Sequence, residues 1–180
     1  MNTMGRILLH TCCGPCLLYP LDRLREEGWT VHAYFYNPHI QPYQEMERRL
    51  EALEEAAAAK DVPVIVRKDY ELETFLRQTA FRERSRCLYC YSRRIESAAR
   101  LAKKSRFDAF TTTLLYSKFQ KHDLIRSLGQ EAAKRWGIPF HYEDFRSGWR
   151  DGKEQAARLG IYRQQYCGCI YSERERFAPR

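Results

Sequence analysis

A doubly wound α/β fold, with a mainly parallel sheet and helices on both faces, is what this chain predicts, and three observations carry that expectation. Short apolar runs of strand length alternate with amphipathic stretches of helix length as far as residue 142. Each helical stretch is long enough to carry the chain from one parallel strand to the next. The 180 residues, 44% hydrophobic and 13% aromatic, can bury one sizeable core. One domain over 1–180 is expected: a core to about 144, then a less regular C-terminal extension, 145–180, that folds back over the ligand site.

Residues 7–10 are an apolar run opening on Thr11-Cys12-Cys13-Gly14-Pro15-Cys16. Leu17, Leu18, Leu21 and Leu24 follow at helical spacing up to Gly28, so the segment reads strand, tight turn, helix. Residues 30–36 alternate Val31, Ala33 and Phe35 with His32, Tyr34 and Tyr36 as a second strand, broken by Asn37-Pro38. The Ala/Glu-rich stretch 43–60 sets Met46, Leu50, Leu53 and Ala57 on one helix face. Residues 62–66 make a third strand, and helices are expected over 72–79 and 90–104, the latter with Ile95, Ala98, Ala99 and Ala102 as its apolar stripe. A fourth strand over 109–115, a helix over 123–136 stopped by Gly137, and a fifth strand over 138–142 complete the pattern. Ligands of such sheets bind beyond the carboxyl ends of the strands near the switch point, and residues 11–16 occupy such an end.

The net charge of +8 is concentrated: residues 77–106 hold ten basic residues against two acidic ones, with Arg outnumbering Lys eight to two. Tyr89 and Tyr91 interleave with them, a mixture that suits phosphate forks and base stacking, although a solvated helix face has the same composition. Two cysteines in the same stretch favour a polyanionic partner. No apolar run approaches the roughly 20 residues that cross a bilayer, and the first one is too short for a secretory signal. The aromatic content and the regular periodicity speak against disorder. A cytoplasmic protein that acts away from membranes is expected.

The seven cysteines fall into three knots, Cys12-Cys13-x-x-Cys16, Cys87-x-x-Cys90 and Cys167-x-Cys169. An odd count without an export signal argues against a disulfide framework. A Cys-x-x-Cys at a helix start lets two thiolates reach one metal, and a Cys-x-Cys around Gly168 does the same from a turn. Cys87, Cys90, Cys167 and Cys169 therefore make a four-thiolate set for zinc or for an iron–sulfur cluster, between which spacing does not choose. Cys12, Cys13 and Cys16 read as a redox relay of the thioredoxin kind, as a complement to a cluster, or as ligands of a second metal.

Four segments together resemble the QueH family of epoxyqueuosine reductases, in order from about residue 7 to residue 172. They are His10-x-Cys12-Cys13-x-Pro15-Cys16, the helix start Cys87-x-x-Cys90, Phe110-Thr111-Thr112-Thr113-Leu114-Leu115 with Ser117 and His122-Asp123 behind it, and Gln165-Tyr166-Cys167-Gly168-Cys169-x-Tyr171-Ser172. The resemblance implies a HUP-like, Rossmann-like fold and the reduction of epoxyqueuosine to queuosine at the tRNA wobble position, without cobalamin. The Ser-Gly-Gly phosphate loop of the ATP-using relatives of that fold is absent, so no ATP is expected. The resemblance further implies a [4Fe-4S] cluster on Cys87, Cys90, Cys167 and Cys169 beside one additional iron on Cys12, Cys13 and Cys16. Some members carry Asp where this chain has Cys16.

On that reading the second iron would act as Lewis acid on the epoxide oxygen, while an external donor of the ferredoxin or flavodoxin kind feeds electrons through the cluster. His10, Tyr116 and His122 are the candidate proton donors. Arg82, Arg84, Arg86, Arg93 and Arg94 are expected to grip the tRNA backbone, with Tyr89, Tyr91 and Tyr166 as stacking surfaces. The competing readings are a zinc-stabilised RNA-binding module without catalysis, a thiol redox enzyme using Cys13 and Cys16, and a tRNA-thiolating enzyme.

Overall fold

The computed structural model describes residues 4–179; residues 1–3 and 180, the ends of the expected domain, lie outside it. Among the described residues four strands, β1 (Gly5–His10), β2 (Trp29–Phe35), β3 (Val64–Val66) and β4 (Ala109–Thr112), form one parallel sheet in the order β3-β2-β1-β4. Ile7, Leu8 and Leu9 are all solvent-free, as a central parallel strand covered on both faces requires. The register sets Ile7 beside Val31 on one side and beside Ala109 on the other.

Among the described residues there are seven α-helices: α1 (Gly14–Glu26), α2 (Tyr43–Ala59), α3 (Leu72–Thr79), α4 (Arg86–Lys104), α5 (His122–Trp136), α6 (Trp149–Leu159) and α7 (Ile170–Phe177). The chain moves outward from β1 through β2 to β3 and then returns past β1 to β4. Right-handed crossovers in opposite directions put α1 and α2 on one face and α4 on the other. That reversal makes the gap between the carboxyl ends of β1 and β4 the switch point.

Four local expectations are corrected. Residues 138–142 form no strand but a single parallel bridge, Phe110 to Phe140, because Pro139 has no N–H with which to continue a ladder. The strand expected over 109–115 ends at Thr112, whose hydroxyl accepts from the Leu114 amide at 3.2 Å and turns the chain into a 3-10 turn. The helix expected from Cys90 begins at Arg86, so Cys87 lies in its first turn and Cys90 about one turn further on. The extension after residue 145 is more regular than its glycines indicated. It forms α6 and α7, and Gly148 and Gly152 let α6 and the turn before it lie directly on Tyr19 and Tyr116, where a Cβ would overlap the rings.

Candidate metal centre

Cys12, Cys13 and Cys16 follow β1 at the switch point. Gly14 opens α1 where the helix touches α2 so closely that a Cβ would overlap the Ala52 carbonyl, and Pro15 supplies a first-turn residue that needs no acceptor. This packing turns all three thiols inward. They are buried, their sulfurs lie within 4.8 Å of one another, and Cys12 and Cys13 are 3.7 Å apart. Hydrogen bonds from Cys13 and Cys16 hold the Cys12 thiol well below its ordinary pKa. Burial pushes Cys13 up, and the hydrogen bonding to Cys12 pushes Cys16 up. Cys12 is thus the thiol of the three that the others favour for deprotonation. Gln164 reaches Cys16 Sγ from the C-terminal segment at 3.4 Å.

The other four thiols arrive from two directions. Cys87 and Cys90 stand one turn apart at the start of α4, and Cys167 and Cys169 flank Gly168, whose φ of +148° favours glycine. Cys90 is within electrostatic reach of Cys167, Cys169 and Cys87, and burial lifts its thiol to about 12. Among the described residues no three of these sulfurs gather within 4.8 Å, as the triad does. Thiolates around one tetrahedral metal at a bond length of ~2.3 Å stand roughly 3.8 Å apart. The triad has the size of a single-ion site, and the other four thiols are not gathered that tightly.

Two buried guanidiniums complete the surroundings. Arg49, on α2, donates to Glu45 at 2.7 Å and to the carbonyls of Cys167 and Tyr166 at 2.8 and 3.0 Å, so it straps the Cys-x-Cys turn down. Arg94 is 2% exposed and meets no carboxylate among the described residues, and its Nε has no hydrogen-bond partner. Burial opposes its charge, and Cys90, Cys167 and Cys12 sustain it. A buried cation facing thiols of both groups calls for negative charge at the centre, which thiolates and their metal–sulfur core would supply. The residues present therefore fit both groups.

The candidate acids separate. His10 accepts from Thr112 Oγ1 at Nδ1, 2.8 Å, and donates from Nε2 to the Tyr36 carbonyl, 3.2 Å; burial and then Arg94 lower its pKa to about 4, so it is neutral with both nitrogens engaged. Tyr116 donates to the Trp149 carbonyl at 3.2 Å; burial and then the nearby Cys16 and Cys13 raise its pKa. His122 bonds Tyr142, and the charges around it are Arg146, Asp144, Asp123 and Arg126, so the fold does not bring it to the thiols.

The expected RNA contacts separate as well. Arg82 and Arg84 are exposed without carboxylate partners among the described residues. Arg86 donates from Nη2 to both oxygens of Glu175 at 2.6 and 2.7 Å, and Arg93 from Nη2 to Glu71 at 2.9 Å. Arg94 is withdrawn from phosphate contact altogether by its burial beside the thiols. Tyr89 is half-buried against His39, whereas Tyr91 bonds Gln120 at 2.5 Å and Tyr166 bonds the Gln41 carbonyl, both as structural props. Gln120 in turn donates to Cys167 Sγ at 3.2 Å. Phe81, 99% exposed, and Phe119, 83% exposed, are further surface rings that the pattern did not single out.

The sequence profile described as epoxyqueuosine reductase QueH matches residues 7–175, which include all seven cysteines. The chain belongs to the QueH family. Epoxyqueuosine reductase QueH of Dehalococcoides mccartyi is 34% identical over 172 residues, covering 96% of this chain and 94% of that one. QueH of Thermotoga maritima is also 34% identical, over 183 residues, with 96% and 93% covered. A solved structure of a predicted tRNA methyltransferase subunit from Methanocaldococcus jannaschii superposes with a TM-score of 0.60 at 13% identity, over 86% of this chain and 75% of that one, and shares the α/β fold. The doubly wound α/β architecture expected, a parallel sheet with helices on both faces, is the one observed. No helix among the described residues is long and apolar enough to cross a membrane.

Proposed function

We propose that this chain, an epoxyqueuosine reductase by family, deoxygenates epoxyqueuosine in the anticodon of tRNA. The epoxide oxygen leaves as water, an alkene forms, and two electrons and two protons are consumed, the electrons coming from a ferredoxin- or flavodoxin-like protein. One observation carries this reading: the thiols divide into a compact triad and a wider quartet, both within reach of buried Arg94, in a chain matched to the family over residues 7–175. When bound, a [4Fe-4S] cluster on Cys87, Cys90, Cys167 and Cys169 and an iron on Cys12, Cys13 and Cys16 would supply one-electron transfer and a Lewis acid for the epoxide oxygen.

The chain's own groups do the rest. Tyr116, its phenol kept protonated by burial and placed near Cys13 and Cys16, is the proton donor at Oη, and neutral His10 fixes the ends of β1, β2 and β4 around the triad. Arg82, Arg84 and Tyr89 meet the RNA beside the first turn of α4. Residues 145–179 act with the core as one domain, delivering Cys167 and Cys169. The reading needs neither cobalamin nor ATP and places the protein with its tRNA in the cytoplasm. A zinc-stabilised RNA-binding module would leave the buried triad idle.

Anaerobic purification followed by iron, sulfide and zinc analysis, a visible spectrum and a turnover assay on epoxyqueuosine-containing RNA tests the reading. About five irons with four sulfides, and turnover, are expected. One zinc without sulfide or turnover would overturn it. Cys12→Ala should abolish turnover while the cluster stays; full turnover would remove the second iron from the account.

A further inference from the structure

The sheet face on the α4 side carries a groove outside the thiol centre. Its main part, about 480 Å³, is lined by Tyr36, Arg67, Tyr89, Arg93, Arg135 and Trp136, among others. A second part of about 400 Å³ continues it past Tyr34, Arg67 and Arg100 to Lys104. The two parts share Arg67, Ser97 and Arg100, so they form one channel along α4. From Tyr89, next to Cys90, to Lys104 the helix rises about 22 Å.

The groove lies where the alternation of β2 turns polar. Tyr34 and Tyr36 stand side by side, ring centroids 6.2 Å apart, and Arg67 lies 4.5 Å over the Tyr36 ring. Five basic side chains meet a single acid in the lining, Glu96. Arg67, Arg93 and Arg135 are each held by one carboxylate, Asp69, Glu71 and Glu96, which fixes their forks without filling them. Arg100 and Lys104 are exposed and have no carboxylate partner among the described residues. A row of fixed and free cations above aromatic rings, in a concave channel that starts beside a cluster ligand, matches a flexible polyanion with flat bases better than the surface of a folded acidic protein.

We infer that this groove is a phosphodiester-binding subsite that seats the RNA strand leading away from the reacting nucleotide. The inference rests on the reading of tRNA as substrate and adds a path for its backbone: the reacting base lies by the thiols, Tyr89 marks the mouth, and the phosphates pass Arg93 and Arg67 to Arg100 and Lys104.

The test uses the holoenzyme and an unmodified anticodon stem-loop RNA, with binding followed by fluorescence anisotropy across a salt series. Arg100→Glu with Lys104→Glu should weaken binding by about ten-fold or more near 0.1 M salt and reduce the slope of log K against log salt by about 1 to 2. The exposed pair Lys153→Glu with Arg158→Glu, on α6, makes the same charge change elsewhere and should cost less than about three-fold. Arg100→Gln alone must still lower the slope by about 1, which keeps the test decisive if the double reversal fails to fold. Equal losses for the groove and α6 pairs would overturn the subsite in favour of net charge alone. Unchanged RNA binding with slower reduction by an acidic ferredoxin would overturn it in favour of a protein donor. Wild-type protein that binds the stem-loop through the groove but never turns over epoxyqueuosine RNA would refute the proposed reaction and leave the subsite standing.

Discussion

The hydroxyl of Thr113, the first residue after β4, donates to Cys12 Sγ at 3.7 Å and accepts from the Cys12 amide at 3.3 Å. One side chain thus closes the switch point between β1 and β4 and sets the residue that opens the triad. Thr113→Val keeps the shape but leaves the buried Cys12 N–H without an acceptor, at about 1–3 kcal/mol. Urea unfolding should show that loss, and Thr113→Ser should restore most of it. Equal stability of the valine and serine variants would mean that the contact is incidental.

Arg49 ties the C-terminal cysteines to the core by a different device. Its partners Glu45, Tyr166 and Cys167 bring α2 and the Cys-x-Cys turn together, and Tyr162 holds the second Glu45 oxygen at 2.6 Å. Arg49→Met strands a buried carboxylate and frees two carbonyls, so a loss of about 3–5 kcal/mol is expected. Limited proteolysis of the metal-free protein should then cut within 160–179 before anywhere else, and bound iron should fall. Arg49→Lys should rescue only weakly, because an ammonium cannot copy a planar fork serving three acceptors. Wild-type proteolysis of Arg49→Met would dismiss the strap.

The parts of the centre that were legible in the sequence are those set by local spacing. Cys12, Cys13 and Cys16 flank a Gly-Pro helix start, and Cys87 and Cys90 are one turn apart, so each knot's geometry follows from neighbouring residues. Arg49, Gln120 and Gln164 reach their sulfur or carbonyl partners across 118, 47 and 148 residues, and no local pattern encodes such contacts. Arg94 was legible and misread. It stands four residues after Cys90 and hence on the buried face of α4, whereas Arg93 lies one step round the helix, toward solvent. The fifth strand failed on Pro139, which the apolar run 138–142 concealed.

His39 gives the fold a sensitivity to acid. It is solvent-free, stacked on Phe75 and tilted against Tyr89, and neither ring nitrogen has a hydrogen-bond partner, the nearest carboxylate oxygen, of Glu71, lying 3.8 Å from Nε2. Burial, then Arg94 and Arg93, lower its pKa to about 3, below the ordinary 6.5 of the unfolded chain. The unfolded state therefore binds the extra proton first as pH falls. The stability that neutral His39 permits is complete above pH 6.5 and is lost on the way down toward pH 3. By pH 5 the loss is about 2 kcal/mol. Denaturant melts at pH 7.5 and 5 should show it, and His39→Leu should flatten the difference by about that amount. An unchanged pH dependence in the leucine variant would assign the acid sensitivity elsewhere.

Arg94 should govern the electron-transfer properties of the loaded centre. Its charge has no compensating carboxylate among the described residues and lies within reach of Cys90 and Cys167 of the quartet and Cys12 of the triad. A fixed positive charge in a low-dielectric surround favours the reduced, more negative state of whatever those thiolates hold. Arg94→Gln should shift the midpoint potential to more negative values in a spectroscopic redox titration and slow reduction by a weak donor, and Arg94→Lys should recover part of the shift. Because the guanidinium is buried, RNA affinity and its salt slope should stay as in the wild type, which separates this role from phosphate binding. A salt slope lowered in Arg94→Gln at an unchanged potential would reverse the assignment, returning Arg94 to the RNA surface where its position in a basic stretch first placed it.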